Sequence, residues 1–215
     1  MQRGSRCFLA PRAPVQEASR LEVFGLLMLA LALLTEFARA QGLPEVSTPE
    51  WDFSAWAAGA TGEENTNSFS EARILVAGVF AGRATREIGT GWRRGRFEYA
   101  VDFIPLFVQF SPRRISGTAF DPIILRWNSS LRRGRVSPFA ELGGGALHTR
   151  VNFPAGDSST FNFIARGGGG ILVSIRHGQA LELACRWWHI SNANLGTQNP
   201  EFNGIQVSLG WHWFK

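Results

Sequence analysis

Beyond residue 50 the chain alternates between apolar and polar positions with a period of two, and helical periodicity is scarce. The clearest run sets Phe97, Tyr99, Val101 and Phe103 against Arg96, Glu98, Ala100 and Asp102. The last run repeats the pattern, with Ile205, Val207, Leu209, Trp211 and Trp213 against Gln206, Ser208, Gly210 and His212. Turn signals separate eight such segments, Trp51–Gly59, Ala72–Gly82, Arg96–Phe107, Pro122–Trp127, Val136–Val151, Phe161–Ser174, Ala180–Ile190 and Gly204–Phe214. Side chains of a strand alternate between faces, so each segment predicts one apolar and one polar face.

Such alternation also fits a soluble β-sandwich. Three features favour a membrane barrel instead. The strand count is even, and several runs reach the roughly nine to eleven residues that a tilted membrane strand needs. Trp187, Trp188, Trp211 and Trp213 crowd near strand ends, as an interfacial girdle would. The expected fold is all-β, an eight-stranded antiparallel up-and-down transmembrane β-barrel with an apolar outer wall and a polar lumen. Glycines 143–145 and 167–170 suit a crowded lumen or bends, and Pro105 predicts a bulge or an early strand end. With the N-terminus on the periplasmic side, the outward links include Thr61–Ser70, Val108–Phe120, Asn152–Thr160 and Asn192–Asn203. The opposite links include the tight His177-Gly178 turn and the longer Ala84–Gly95 segment.

Residues 1–40 read as a signal peptide. Arg3, Arg6, Arg12 and Arg20 form a basic region, Val23 to Leu34 is an uncharged apolar run, and Ala38-Arg39-Ala40 fits a cleavage site. The expected mature domain is 41–215. The full chain carries 22 basic and 17 acidic residues. Residues 1–40 hold five Arg and three acids, which leaves 17 basic and 14 acidic groups, or +3, in the mature domain. Arginine supplies nearly all of that positive charge, with pairs at Arg93-Arg94, Arg113-Arg114 and Arg132-Arg133. Such pairs are either solvated loops or contacts for lipid phosphate. Export and the absence of a binding motif argue against nucleic acid as a partner. Cys185 is the one cysteine outside the signal, so no internal disulfide is expected.

The chemistry concentrates at the end of the seventh segment. In Leu181–Ser191, His189 and Ser191 share the parity of Leu181, Leu183, Cys185 and Trp187, whereas Glu182 and Arg186 lie on the other. A base and a nucleophile therefore sit on the greasy face, an arrangement suited to a barrel whose substrate is a lipid. Serine needs a neighbouring imidazole to take its proton and a third group to orient that imidazole. Two residues apart on a strand, the Cα atoms are about 6–7 Å apart, so the imidazole has to lean toward the hydroxyl.

The string His189-Ile-Ser-Asn-Ala-Asn-Leu-Gly-Thr-Gln-Asn-Pro200, followed by Phe202-Asn203-Gly204 and an amphipathic last strand, resembles the C-terminal signature of the outer-membrane lipid A 3-O-deacylases, the PagL-like family. The resemblance implies an eight-stranded outer-membrane barrel that hydrolyses the 3-O-linked acyl ester of lipid A without a cofactor, using serine, histidine and glutamate on its lipid-facing surface. It implies His189 as base, Ser191 as nucleophile and Asn199 as a contributor to the oxyanion site. Asn192 is a second oxyanion candidate, and so are the backbone amides of 192–194.

The chain departs from the pattern at the acid, because Asn203 stands where the family carries glutamate. Asn203 can orient an imidazole but brings no charge. Glu201 shares its parity and is a possible alternative acid, whereas Gln206 falls on the lumen parity. Slower chemistry than in a glutamate-bearing relative is expected. The contrasting expectation is a non-catalytic small surface or binding barrel with a decayed site. No histidine has a partner at metal-ligand spacing, and His212 reads as a lumen or solvated residue.

Overall fold

A computed structural model describes residues 51–62, 72–131, 135–155 and 158–215. The signal-peptide and cleavage-site reading of residues 1–40 lies outside them, as do Arg132-Arg133 and most of the Thr61–Ser70 link. Eight antiparallel strands form a closed barrel in sequence order. They are β1 Trp51–Gly62, β2 Arg73–Ala84, β3 Gly95–Ser111, β4 Ile115–Ser129, β5 Val136–Phe153, β6 Ser159–Arg176, β7 Gln179–Ser191 and β8 Phe202–Phe214. The last strand pairs with the first from Asp52↔Phe214 to Gly62↔Gly204, which leaves no free sheet edge. An even strand number puts the first and last residues of the barrel at one end, called here the terminal end, together with the β2–β3, β4–β5 and β6–β7 links. The His177-Gly178 link is a two-residue turn in which Gly178 takes φ 69°, the left-handed backbone that such turns require.

Outward positions are apolar along the predicted parity, including Phe97, Tyr99, Val101 and Phe103 on β3 and Leu209, Trp211 and Trp213 on β8. One member of the expected girdle is misplaced. Trp188 is fully buried inside the barrel, because it carries the parity of Arg186 and Ile190 rather than that of Trp187.

Two prolines lie at breaks in strand pairing. Around Pro105 the β3 register slips against both neighbours, between Ala77 and Val79 of β2 and between Ile104 and Phe107 on the β4 side. Pro122 occupies the slip between Phe120 and Ile123 of β4. A bulge relieves proline of the ladder hydrogen bond it cannot donate and exchanges the inward and outward parities beyond it. On β4 the buried residues are accordingly Ile115, Ala119 and Asp121 before the break, then Ile124 and Arg126 after it. The expected long Val108–Phe120 link is a correction on this account. Both flanking strands extend into it, and only Pro112, Arg113 and Arg114 remain as a turn.

The lumen is filled in two layers, so its expected polar character holds for one of them only. Toward the terminal end, Arg126 donates to Glu141 (2.8 Å) and Glu182 (3.1 Å), Arg186 pairs with the same two carboxylates, and His212 lies between Asp52 and Glu182. Further along, Arg166 binds Asp102 (2.8 Å), which also accepts from the Trp56 indole (2.9 Å). At the far end the inward residues are mostly apolar and closely packed, including Phe107, Leu147, Phe153, Trp188, Ile190 and Phe202, with Gln109, Thr149 and Asn162 buried among them. Glycine lets β6 approach β7 closely: a Cβ on Gly168 would sit 2.2 Å from the Cys185 carbonyl oxygen of the neighbouring strand. The β2–β3 link is pinned by Arg94, which donates to Glu87 (2.8 Å). That bond, with one from Ser130, holds the Glu87 carboxyl below its usual range.

Candidate active site

Strand β7 reaches its far end at Ser191, and its parity sets the side of each group. Glu182, Arg186 and Trp188 point into the lumen, whereas Cys185, Trp187, His189 and Ser191 lie on the lipid-facing wall. The imidazole leans as the spacing requires, with His189 Nε2 3.1 Å from Ser191 Oγ. It lies beside the Trp187 indole, the rings stacked at 5.8 Å between centroids and 20° between planes.

The third group comes from the register of β8. Asn203 is the cross-strand partner of His189, and its Oδ1 is 2.8 Å from His189 Nδ1. An amide oxygen only accepts, so this contact calls for the tautomer with hydrogen on Nδ1 and leaves the Nε2 lone pair for the serine hydroxyl. Asn203 Nδ2 in turn donates to Glu201 Oε2 at 3.3 Å. Glu201 therefore stands behind Asn203 rather than against the imidazole. Gln206 is buried on the lumen side, as its parity required.

The loop between β7 and β8 is held by Asn192, which is fully buried. Its backbone N–H donates to Asn199 Oδ1 (2.9 Å), its Nδ2 to the Gln198 carbonyl (2.8 Å), and its Oδ1 accepts from the Asn194 N–H (2.9 Å). Its carbonyl accepts from the Leu195 N–H (3.0 Å). This turn puts Ala193 and Asn194 in left-handed backbone, at φ 50° and 63°. Of the amides at 192–194, those of Asn192 and Asn194 are engaged inside the loop. Among the described residues, the Ala193 N–H is the one of these three that the loop does not engage.

Three features of the wall were not readable from the motif. On β6, Phe163 stands opposite Ser191, Ala165 opposite His189, Gly167 opposite Trp187 and Gly169 opposite Cys185. Beyond Phe163, the outward side of β6 is thus a strip with almost no side chain, leading from beside His189 toward the middle of the wall. Trp187 borders it on one side, and the exposed Leu142 of β5, paired with Gly167, borders it on the other. Strand pairing assembles this strip, and no contiguous sequence encodes it. Among the described residues, no group of His, Cys, Asp and Glu is arranged to hold a metal ion.

Fold and wall together define an outer-membrane β-barrel that carries a Ser-His-Asn constellation on its lipid-facing surface. The family model described as lipid A 3-O-deacylase (PagL) matches residues 86–212, more than half of the chain, and the chain belongs to that family. Family membership places it in the cell outer membrane, among lipid A deacylases. Two solved structures share the barrel. The crystal structure of the outer membrane enzyme PagL is 21% identical with a TM-score of 0.53, covering 74% of this chain and 97% of that one. The crystal structure of Neisserial surface protein A (NspA) is 12% identical with a TM-score of 0.57, covering 77% and 97%. No curated protein matches the chain. One structural relative is an enzyme and the other a surface protein, so the functional reading rests on the family and on the site.

Proposed function

We propose that the protein is a serine esterase that removes the 3-O-linked acyl chain of lipid A in the outer leaflet of the outer membrane. The observation that carries this reading is the aligned chain Asn203–His189–Ser191 on the lipid-facing wall, at 2.8 Å and 3.1 Å. A site decayed beyond use would have no reason to keep the tautomer-fixing contact after losing its glutamate.

In the proposed reaction Ser191 Oγ attacks the ester carbonyl carbon while its proton passes to His189 Nε2. The negative charge that develops on the carbonyl oxygen is met by the Ala193 N–H, with Asn199 Nδ2 as a second donor. Collapse breaks the bond to the sugar oxygen, which takes the proton from His189 and leaves as a hydroxyl. Water, deprotonated by His189, then attacks the acyl-Ser191 carbonyl carbon; the bond to Oγ breaks, Oγ takes the proton back from His189, and the free fatty acid departs. Lipid A is held in the leaflet, so its acyl chains already lie along the barrel wall and the ester meets the dyad without leaving the membrane.

The bare strip of β6 gives the scissile chain a bed. A Cβ on Gly167 would find only the Glu141 carbonyl oxygen, at an ordinary 3.8 Å, so a larger side chain can stand there without disturbing the strands. Gly167→Leu is expected to slow release of long acyl chains by about tenfold or more, the order of one to two displaced apolar contacts. Hydrolysis of a short-chain nitrophenyl ester by the same variant should be unchanged. Equal loss on both substrates would argue against a chain-binding role for the strip.

Ser191→Ala retaining deacylation in detergent, measured as free 3-hydroxy fatty acid by mass spectrometry, would overturn the nucleophile assignment.

A further inference from the structure

Asparagine is an ambiguous third member of such a chain. Its two amide ends are nearly isosteric, and only one of them orients the imidazole productively. With Oδ1 toward His189 Nδ1, the ring carries its hydrogen there and Nε2 is basic. With Nδ2 toward Nδ1, the ring must carry its hydrogen on Nε2 and cannot accept the serine proton. Something has to select the first orientation, and the structure holds a group that does.

We infer that Glu201 is a positioning residue that restores, through Asn203, the charge that this chain lacks at the third position. The inference rests on the esterase reading above. Glu201 Oε2 lies 3.3 Å from Asn203 Nδ2, and Asn203 Oδ1 lies 2.8 Å from His189 Nδ1. An ionised carboxylate only accepts hydrogen bonds, so it holds the NH2 end of the amide and turns the oxygen to the histidine. Its charge also polarises the amide. A donor bonded to an anion draws electron density toward the oxygen at the other end, which strengthens the bond that oxygen accepts. When His189 takes the serine proton, the imidazolium sees an enriched amide oxygen and, one group further away, a full negative charge. Asn203, the link in that path, is 8% exposed, and His189 and Glu201 at its two ends are half-buried.

The surroundings leave Glu201 as the source of this charge among the described residues. From β6, His189 faces Ala165, with Phe163 and Gly167 on either side. On β7 its neighbours of the same face are Trp187 and Ser191, and from β8 it meets Asn203, followed by Ile205. None of these is charged. Arg166 and Arg186 belong to the same strands but point into the lumen, where carboxylates engage them.

The test replaces the charge and keeps the shape. Glu201→Gln in the full-length protein, purified in detergent, is expected to lower kcat on lipid A by roughly ten- to fiftyfold, the size expected of one charge an amide group away from the imidazolium. KM should stay unchanged. Glu201→Asp, which keeps the charge, should retain most of the parent kcat. A purely structural role for Glu201 would not lower kcat at unchanged KM in the Gln variant while sparing the charged Asp variant.

The second arm moves the charge inward. In an Asn203→Glu background, where a carboxylate faces His189 directly, Glu201→Gln should cost nothing or raise the rate by separating two like charges. Parent-like kcat in Glu201→Gln, an equal loss in Glu201→Asp, or the same loss in both backgrounds, would overturn the inference. Either result would leave the esterase reading standing so long as Ser191→Ala remained inactive.

Discussion

Alanine at Ser191 is expected to reduce release of 3-hydroxy fatty acid from lipid A by about a thousandfold or more, and alanine at His189 to do the same, as residues acting as one unit do. The two losses should not multiply. Once the nucleophile is absent, the base has no proton to take, so the double variant should be no slower than either single variant. The wall makes this test clean. Ser191 and His189 face outward, away from the buried lumen that holds the barrel together, and β7 keeps its ladder with β6 and β8 whatever the outward side chain is. Heat-modifiable gel mobility in detergent should therefore be that of the parent protein. A variant that folds as the parent does and still deacylates would show that another group performs the attack.

How much of this was legible in the sequence depended on where a period of two survives. Strands β3 and β8 announced themselves through Phe97–Phe103 and Ile205–Trp213, because inward and outward positions alternate without a break along each stretch. Strand β4 did not. Its buried parity changes at Pro122, so Ile115–Trp127 read straight through shows no single period, and its first half passed for a loop. Trp188 was misread for a related reason. Inward residues at the far end of the lumen are as apolar as outward ones, and hydropathy there no longer distinguishes the faces. His189 and Ser191 were legible because two residues on one strand must share a face. The pairing of Asn203 with His189 was reachable only through the motif, since it depends on the loop's returning β8 at one register. The parts played by Asn192 and Glu201 depend on amide orientation within that loop, which residue order does not encode.

The largest structural effect is expected inside the lumen. Arg126 is fully buried and comes from β4, yet it donates to Glu141 of β5 and Glu182 of β7, with Asp52 of β1 3.9 Å away. Its guanidinium also lies 4.4 Å from the ring centroids of Phe80 and Phe139. One side chain thus ties together carboxylates from three other strands across the middle of the barrel. Removing it leaves Glu141 and Glu182 sharing Arg186 in a space with little water, and a carboxylate stripped of its partner in such a site is far costlier than an exposed one. Arg126→Met, which keeps most of the volume, is expected to destabilise the barrel by about 3–5 kcal/mol, the range found when one partner of a buried ion pair is deleted. Unfolding in urea followed by gel mobility would report it as a lowered midpoint. Adding Glu141→Gln should recover much of the loss, because it removes the stranded charge and leaves Glu182 paired with Arg186 and His212. The expectation fails if the midpoint of Arg126→Met matches the parent, or if neutralising Glu141 in that variant lowers it further.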